Sequence, residues 1–136
     1  MDDLFKTFKI SASGMKAQGT RLRVISENVA NAESLPQTPG AAPYRRKTIL
    51  FKNVLDKNVG MNTVRVDQIG TDKSDFVKKY DPGHPGADEQ GFVQTPNVNM
   101  LIEMMDMREA QRSYEANLSV IRSSRTMLQS AIDLLR

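Results

Sequence analysis

The chain has 136 residues, a formal net charge of +3 and no cysteine. This length allows one modest hydrophobic core, and the lack of cysteine excludes both a disulfide framework and thiol chemistry. The charges are spread without a basic arm, which argues against nucleic-acid binding, and no apolar run is long enough to span a membrane.

The first predicted element is an amphipathic helix over Asp3–Ala32. Its apolar positions recur in steps of four and three, which is the spacing of a coiled-coil seam. Gly14 and Gly19 each weaken the helix by about 1 kcal/mol relative to alanine. Either they allow a second helix to approach closely, or they are simply tolerated. The residues expected to form the assembly face of this helix are Leu4, Phe8, Met15, Leu22, Ile25, Asn28, Val29 and Asn31.

The N-terminus lacks the apolar core of a Sec-type signal peptide. We therefore expect any export of this chain to use another route.

The middle of the chain, residues 34–96, is predicted to be β-rich and irregular. All six prolines fall within it, and three of them in residues 36–43 predict a loop. A run of basic residues, 45–47, is interpreted as a solvated strand start, with a partner-facing patch as the alternative. The predicted strands, which we expect to form one small antiparallel sheet, are Tyr44–Leu55, Met61–Ile69, Phe76–Tyr80 and Gly91–Thr95.

The only histidine, His84, shares a loop with Asp81, Asp88 and Glu89. One imidazole with loop carboxylates has no recognised metal-ligand spacing. The sequence also lacks the nucleophile-elbow, Walker A and dinucleotide-binding motifs. We therefore expect no metal, no cofactor and no enzymatic activity, and a small metal-dependent enzyme built on this loop is the disfavoured alternative.

The last predicted element is a helix over Asn99–Leu135, capped by Asn99 or Asn97 just after Pro96. Gln111 and Arg125 interrupt its apolar seam. Arg125 either meets a carboxylate or extends to solvent at an exposed edge. The residues expected on the assembly face are Met100, Met104, Met107, Tyr114, Leu118, Ile121, Arg125, Leu128, Ile132 and Leu135.

Neither helix can offset its loss of backbone entropy without burying its apolar stripe, so each needs the other. The predicted fold class is α+β, with long N- and C-terminal helices packed as an antiparallel coiled coil around a small β-rich insert. In this division residues 1–33 and 97–136 form one helical domain, and residues 34–96 form the insert.

Two sets of motifs resemble the axial proteins of the bacterial flagellum. Ile10-Ser11-Ala12-Ser13-Gly14-Met15, followed by Ser26-Glu27-Asn28-Val29-Ala30-Asn31-Ala32, is similar to the N-terminal rod and hook signature of that family. The run Tyr80–Val93 with Pro96–Asn99, and then Glu103–Asp106 and Ser113–Asn117, resembles its proximal rod subunits. Gly86 stands where those subunits usually have Asp, and Phe92 where they usually have Tyr.

The resemblance implies a self-assembling structural subunit of the basal-body rod, the drive shaft that crosses the periplasm. It implies export through the flagellar type III apparatus with an uncleaved N-terminus. The implied partners are other rod proteins, homologous neighbouring subunits, and the MS-ring with its rod adaptor; no nucleic acid and no small-molecule substrate are expected. In this family the termini of the free subunit are unfolded and become ordered on assembly. The alternative hypothesis is a monomeric helical adaptor or type III-exported protein that binds one partner groove.

Overall fold

The structure is a computed structural model that describes residues 2–135. Along the chain lie α1 (Asp2–Ala30), β1 (Lys47–Asp56), β2 (Met61–Thr71), β3 (Val77–Tyr80), β4 (Phe92–Thr95) and α2 (Met100–Leu134). Both predicted helices are confirmed to within two residues at each end, and the α+β fold class is confirmed. No helix within residues 2–135 is both long and apolar enough to cross a membrane.

Helix α2 begins where the sequence places an N-cap. The Asn99 side-chain oxygen accepts hydrogen bonds from the backbone N–H groups of Leu101 and Ile102, at 3.0 and 3.4 Å. These bonds satisfy donors that the first helical turn otherwise leaves unpaired. Asn97 has a different role, because its side-chain oxygen accepts from the Arg46 backbone N–H at 2.8 Å.

The four predicted strands are confirmed, but the prediction that they form one sheet is wrong. Strands β1 and β2 form one two-stranded sheet, and β3 and β4 form another, antiparallel from Val77↔Thr95 to Tyr80↔Phe92. In the segment between β2 and β3, carbonyl oxygens accept hydrogen bonds from side chains instead of from a neighbouring strand. Arg45 and Asn97 both donate hydrogen bonds to the carbonyl oxygens of Asp72 and Ser74.

The described chain is divided into two compact units. The first unit consists of Met1–Leu22, Ile49–Gln68 and Arg108–Arg136, and the second of Arg23–Thr48 and Ile69–Met107. Each unit therefore contains a part of both helices and a part of the strand region.

The two helices run antiparallel in the first unit. There a Cβ at Gly14 of α1 would contact the Asn117 side chain of α2, and Arg21 of α1 pairs with Glu109 of α2 at 3.3 Å. Later residues of α1 thus meet earlier residues of α2, as an antiparallel pair requires. In the second unit Asn28 of α1 donates to Glu103 of α2 at 3.2 Å.

Candidate assembly surface and its support

Several small and polar residues are buried on the two helices, in addition to Val24 and Ile25 of α1. Ser11 and Ala17 are buried on α1, and Glu103, Ala110 and Ser124 are buried on α2. The buried α2 residues are separated by multiples of seven, as in a coiled-coil seam. Larger neighbours such as Met104 and Arg125 lie beside this buried line and are exposed.

The predicted assembly residues of α1 differ in burial. Ile25 and Asn28 are buried, at 4% and 1% exposure. Phe8 is exposed, and the remaining ones, Leu4, Met15, Leu22, Val29 and Asn31, are half-buried.

The predicted assembly residues of α2 lie closer to solvent. The half-buried ones are Met107, Tyr114, Leu118, Ile121 and Leu128. The exposed ones are Met100, Met104, Arg125, Ile132 and Leu135. Their role in assembly stays a prediction.

A second apolar face of α2 was not found from the sequence. Val120, Met127 and Leu134 are exposed and lie seven residues apart, so they form one line along the helix. Ser123, Ser124 and Ser130 stand at the helical positions between these residues, so the line is not a continuous apolar seam. Its spacing of seven was the available signal.

A buried polar network holds the start of β1 against both helices in the second unit. The Asn28 side chain donates to the Lys47 carbonyl at 2.9 Å and to Glu103, while its oxygen accepts from the Lys47 N–H and from the Tyr44 hydroxyl. All of the hydrogen-bonding capacity of this amide is used within the chain. Burial raises the pKa of the Tyr44 phenol, which keeps it a hydrogen-bond donor.

Arg46 joins the same network as its central cation. Its Nε donates to the buried carboxylate of Glu103, and its terminal nitrogens lie 3.7 Å from Asp72 and from Asp106. Burial lowers the pKa of Arg46, but the hydrogen bond to Glu103 and the three carboxylate charges raise the pKa overall. The buried Glu103 charge is therefore paired, as buried charges must be.

The interpretation of the basic run as a solvated strand start is wrong, because its side chains pair within the chain, and the alternative of a partner-facing patch stays a prediction. Besides Arg46, the Arg45 guanidinium lies 4.2 Å from the Phe76 ring centre. Lys47 pairs with Glu27 at 2.6 Å, and this hydrogen bond lowers the pKa of the Glu27 carboxyl. All three side chains bind within the chain because β1 starts beside carboxylates that the sequence separates by many residues.

Two grooves lie in the first unit. One has a volume of about 550 Å³ and runs between α1 and β2. Its apolar lining includes Ala12, Ala17, Val64 and Val66, and its basic lining residues are Lys9, Lys16 and Arg65. The other, of about 410 Å³, lies between the start of α1 and the end of α2 and is lined by Leu4, Phe5, Phe8, Ser124, Arg125 and Leu128. Arg125 is exposed at this groove, in keeping with the exposed-edge interpretation.

The side chains of the His84 loop close the loop on itself. His84 Nδ1 accepts from the Gly86 N–H at 3.0 Å, and an Asp88 oxygen accepts from the N–H groups of Gln90 and Phe92. Within residues 2–135 no group of three or more potential ligands is placed to hold a metal ion. A Cβ at Gly86 would lie 2.1 Å from the Pro36 carbonyl oxygen, so the close approach of loop 31–46 requires glycine there.

Comparisons with known proteins agree with the motifs at both ends of the chain. The family described as "Flagella basal body rod protein" matches residues 8–33, and "Flagellar basal body rod FlgEFG protein C-terminal" matches residues 89–134. A relative from Agrobacterium fabrum named flagellar basal-body rod protein FlgC is 57% identical over 100% of this chain and 98% of its own length. Relatives of the same name from Borreliella burgdorferi and Bacillus subtilis are 41% and 38% identical, over 98% and 96% of this chain and 98% and 97% of their own lengths.

Proposed function

The chain belongs to the FlgC family of flagellar basal-body rod proteins, and from this premise we propose that it is a structural subunit of the rod. In this proposal its copies and relatives assemble into the drive shaft that transmits torque across the periplasm. The observation that carries the proposal is the apolar surface that the two long helices leave uncovered. On α2 alone the exposed large apolar residues are Met100, Leu101, Ile102, Met104, Met105, Val120, Met127, Ile132 and Leu134, and Leu135 directly after the helix is exposed as well.

Exposed apolar surface on this scale favours a polymer subunit over a free globular protein. A contiguous apolar patch on a soluble protein usually marks an interaction site. Both sides of the buried line on α2 are involved, since Met104 and Ile132 are exposed on one side of it and Val120, Met127 and Leu134 are exposed on the other. A helix that is apolar on two sides needs contacts on two sides, which neighbouring subunits would supply. The predicted assembly residues at the ends of both helices would lie in these contacts.

The proposed partners follow from the place of such a subunit in the rod. They are other flagellar rod proteins, homologous neighbouring subunits, and the MS-ring with its rod adaptor. Delivery would use the flagellar type III export apparatus without cleavage of a signal peptide. The role is structural, with no catalytic step, and torque would pass through closely packed helices, because protein interiors have low compressibility.

The test is to block the uncovered line of α2 without disturbing the core. Val120→Asp places a charge on that line at a position that is already exposed, so the chain should keep its fold. Ser119→Asp is the matched control, since it adds the same charge at the adjacent exposed position. Ile25→Asp is a poorer choice, because this residue is buried and its replacement would unfold the subunit.

We expect cells that depend on the Val120→Asp chain to lose swimming and to lack the chain in purified basal bodies. Cells with Ser119→Asp should keep at least half of normal swimming speed. Normal rods in the Val120→Asp cells would contradict the role of this line. Binding of the chain to one partner at a fixed stoichiometry, with no growth into a rod, would favour an adaptor instead.

A further inference from the structure

The groove between α1 and β2 is lined by residues from both faces of β2. Thr63, Val64, Arg65 and Val66 follow one another along the strand, and all four line the groove. Successive side chains of a strand point to opposite faces, so a groove lined by consecutive residues runs along an edge of the strand. Because β1 occupies the other edge, the groove exposes the edge of β2 that pairs with no strand within residues 2–135.

An unpaired strand edge is a site for a further strand. Its backbone N–H and C=O groups remain available, and an extended segment of another chain can bind them by adding to the sheet. The groove has a volume of about 550 Å³. Residues 63–66 span about 10 Å at about 3.3 Å per residue, and Lys9 and Lys16 lie about 10 Å apart at about 1.5 Å per residue of helix. The two walls of the groove therefore match in length, as a short added strand requires.

The charged side chains of the groove favour an acidic occupant. Lys9, Lys16 and Arg65 line it and are exposed. None of these three side chains forms an ion pair within the part of the chain that the structure describes. Of the described residues that line the groove, only Asp56 is acidic, and one of its oxygens accepts a hydrogen bond from the Asn58 N–H at 2.9 Å.

The other acidic residues that the first unit carries on α1 and on β2 do not reverse this sign. Two of them are already paired with lysines, in Asp3–Lys6 and Lys52–Asp67. Asp2 precedes Lys9 by about two turns and does not line the groove. The groove therefore keeps an excess of unpaired positive charge beside a free strand edge.

We propose that an extended acidic segment of another basal-body protein adds to the free edge of β2 as a third strand. Its backbone would form hydrogen bonds with β2, and its carboxylates would pair with Lys9, Lys16 and Arg65. This inference rests on the proposed function, because the segment would belong to a neighbour of the chain in the rod.

A second copy of this chain does not fit the groove. None of the strands β1 to β4 carries more acidic than basic residues. Pairing of two β2 edges would bring the same three cations of both copies together, and like charges oppose association. The acidic loop that contains Asp88 and Glu89 is closed on itself by hydrogen bonds to an Asp88 oxygen, so it is not extended.

The experiment joins lysines to the carboxylates that touch them. Purified basal bodies are treated with a water-soluble carbodiimide, which links a lysine amine directly to a carboxylate in contact with it, and the linked peptides are identified by mass spectrometry. Lys78 is the internal control, because it is an exposed lysine that does not line the groove. The unmodified chain is used, so nothing added to the groove can block it.

We expect Lys9 and Lys16 to be linked to one segment of another protein, with more acidic than basic residues. Lys78 should give at least tenfold less of that product. Lys16→Glu should lower the yield from Lys9 at least fivefold, whereas Lys16→Arg should keep it, because arginine retains the charge. Lys78→Glu is the matched charge reversal and should leave the yield unchanged.

Amide hydrogen exchange tests the backbone part of the proposal. Successive N–H groups of a strand point alternately to its two edges, so about half of the amides of residues 63–66 face the groove. These amides should exchange at least tenfold more slowly in assembled rods than in the free chain. Unchanged rates would show that no strand is added.

Other results of the cross-linking would also overturn the proposal while leaving the rod role intact. They are links from Lys9 and Lys16 to a neutral or basic segment or to a second copy, and the absence of links in basal bodies that contain the chain. Absence of the chain from basal bodies of wild-type cells would overturn the rod role, and this inference with it.

Discussion

Glu103 and Asn28 place a carboxylate and an amide at the centre of the second unit, where most proteins place apolar groups. Both side chains are fully buried, and each contacts a segment from a different part of the chain. A buried polar network is costly when any member lacks its partner, so it permits few alternative registers. The network therefore fixes how the start of β1 sits on α1 and α2 in this unit.

Removal of the central carboxylate should destabilise the chain strongly. Glu103→Ala leaves the Arg46 charge and the Asn28 amide short of a partner, and we expect a loss of about 3–5 kcal/mol in the free energy of unfolding. Glu109→Ala is the control, because it breaks an exposed pair with Arg21 and should cost no more than about 1 kcal/mol. Urea unfolding of the two full-length variants measures the difference. Equal losses would mean that the network does not determine stability.

The Glu27–Lys47 pair predicts a pH dependence with a definite sign. The Lys47 hydrogen bond lowers the pKa of Glu27 below its ordinary value of 4.5. The pair therefore stabilises the fold fully above pH 4.5, and this contribution is lost as the pH falls through the lowered pKa of the folded state. In Lys47→Gln the NMR titration of the Glu27 carboxyl carbon should move to higher pH. An unchanged midpoint would show that the pair does not form in solution.

At the scale of the elements, two glycines in one helix should respond unequally to the same substitution. A Cβ at Gly14 would lie 2.9 Å from the Asn117 amide nitrogen, which donates to the Ser113 carbonyl, whereas at Gly19 no atom lies within 4 Å. Gly19→Ala should therefore stabilise the chain by about 1 kcal/mol through helix propensity. Gly14→Ala should gain much less, because Asn117 must move. Thermal unfolding of both variants provides the measurement, and equal gains would contradict the close approach.

Helix periodicity and the Asn99 cap could be predicted from the sequence because both depend on neighbours within a few residues. The pairing of β3 with β4 as a separate sheet depends on distant side chains that occupy the segment between β2 and β3. The buried line through Ala110 and Ser124 could not be predicted from the sequence either, because the large apolar residues occupy the positions beside it. The sequence also suggested that Arg46 is solvated, because its carboxylate partners are 26 to 60 residues away in the sequence.

At the scale of the whole molecule, uncovered apolar surface links folding to assembly. In the first unit every described residue from 129 to 135 is exposed, although α2 remains helical to Leu134. Helical turns without buried contacts open at little cost, so they are held mainly by the turns before them. Neighbouring subunits that cover Ile132 and Leu134 would supply the contacts that the free chain lacks.

Amide hydrogen exchange should detect this difference directly. In the free chain we expect fast exchange over residues 129–134, because few tertiary contacts oppose local opening there. In assembled rods exchange over the same residues should slow about a hundredfold, which corresponds to about 2.8 kcal/mol of added protection at about 1.4 kcal/mol per tenfold. The buried segment around Val24 and Asn28 serves as the internal reference, because its amides are protected in both states. Equal protection of the α2 end in both states would mean that assembly covers other surfaces, and Ile132 and Leu134 would then have no part in the rod contacts.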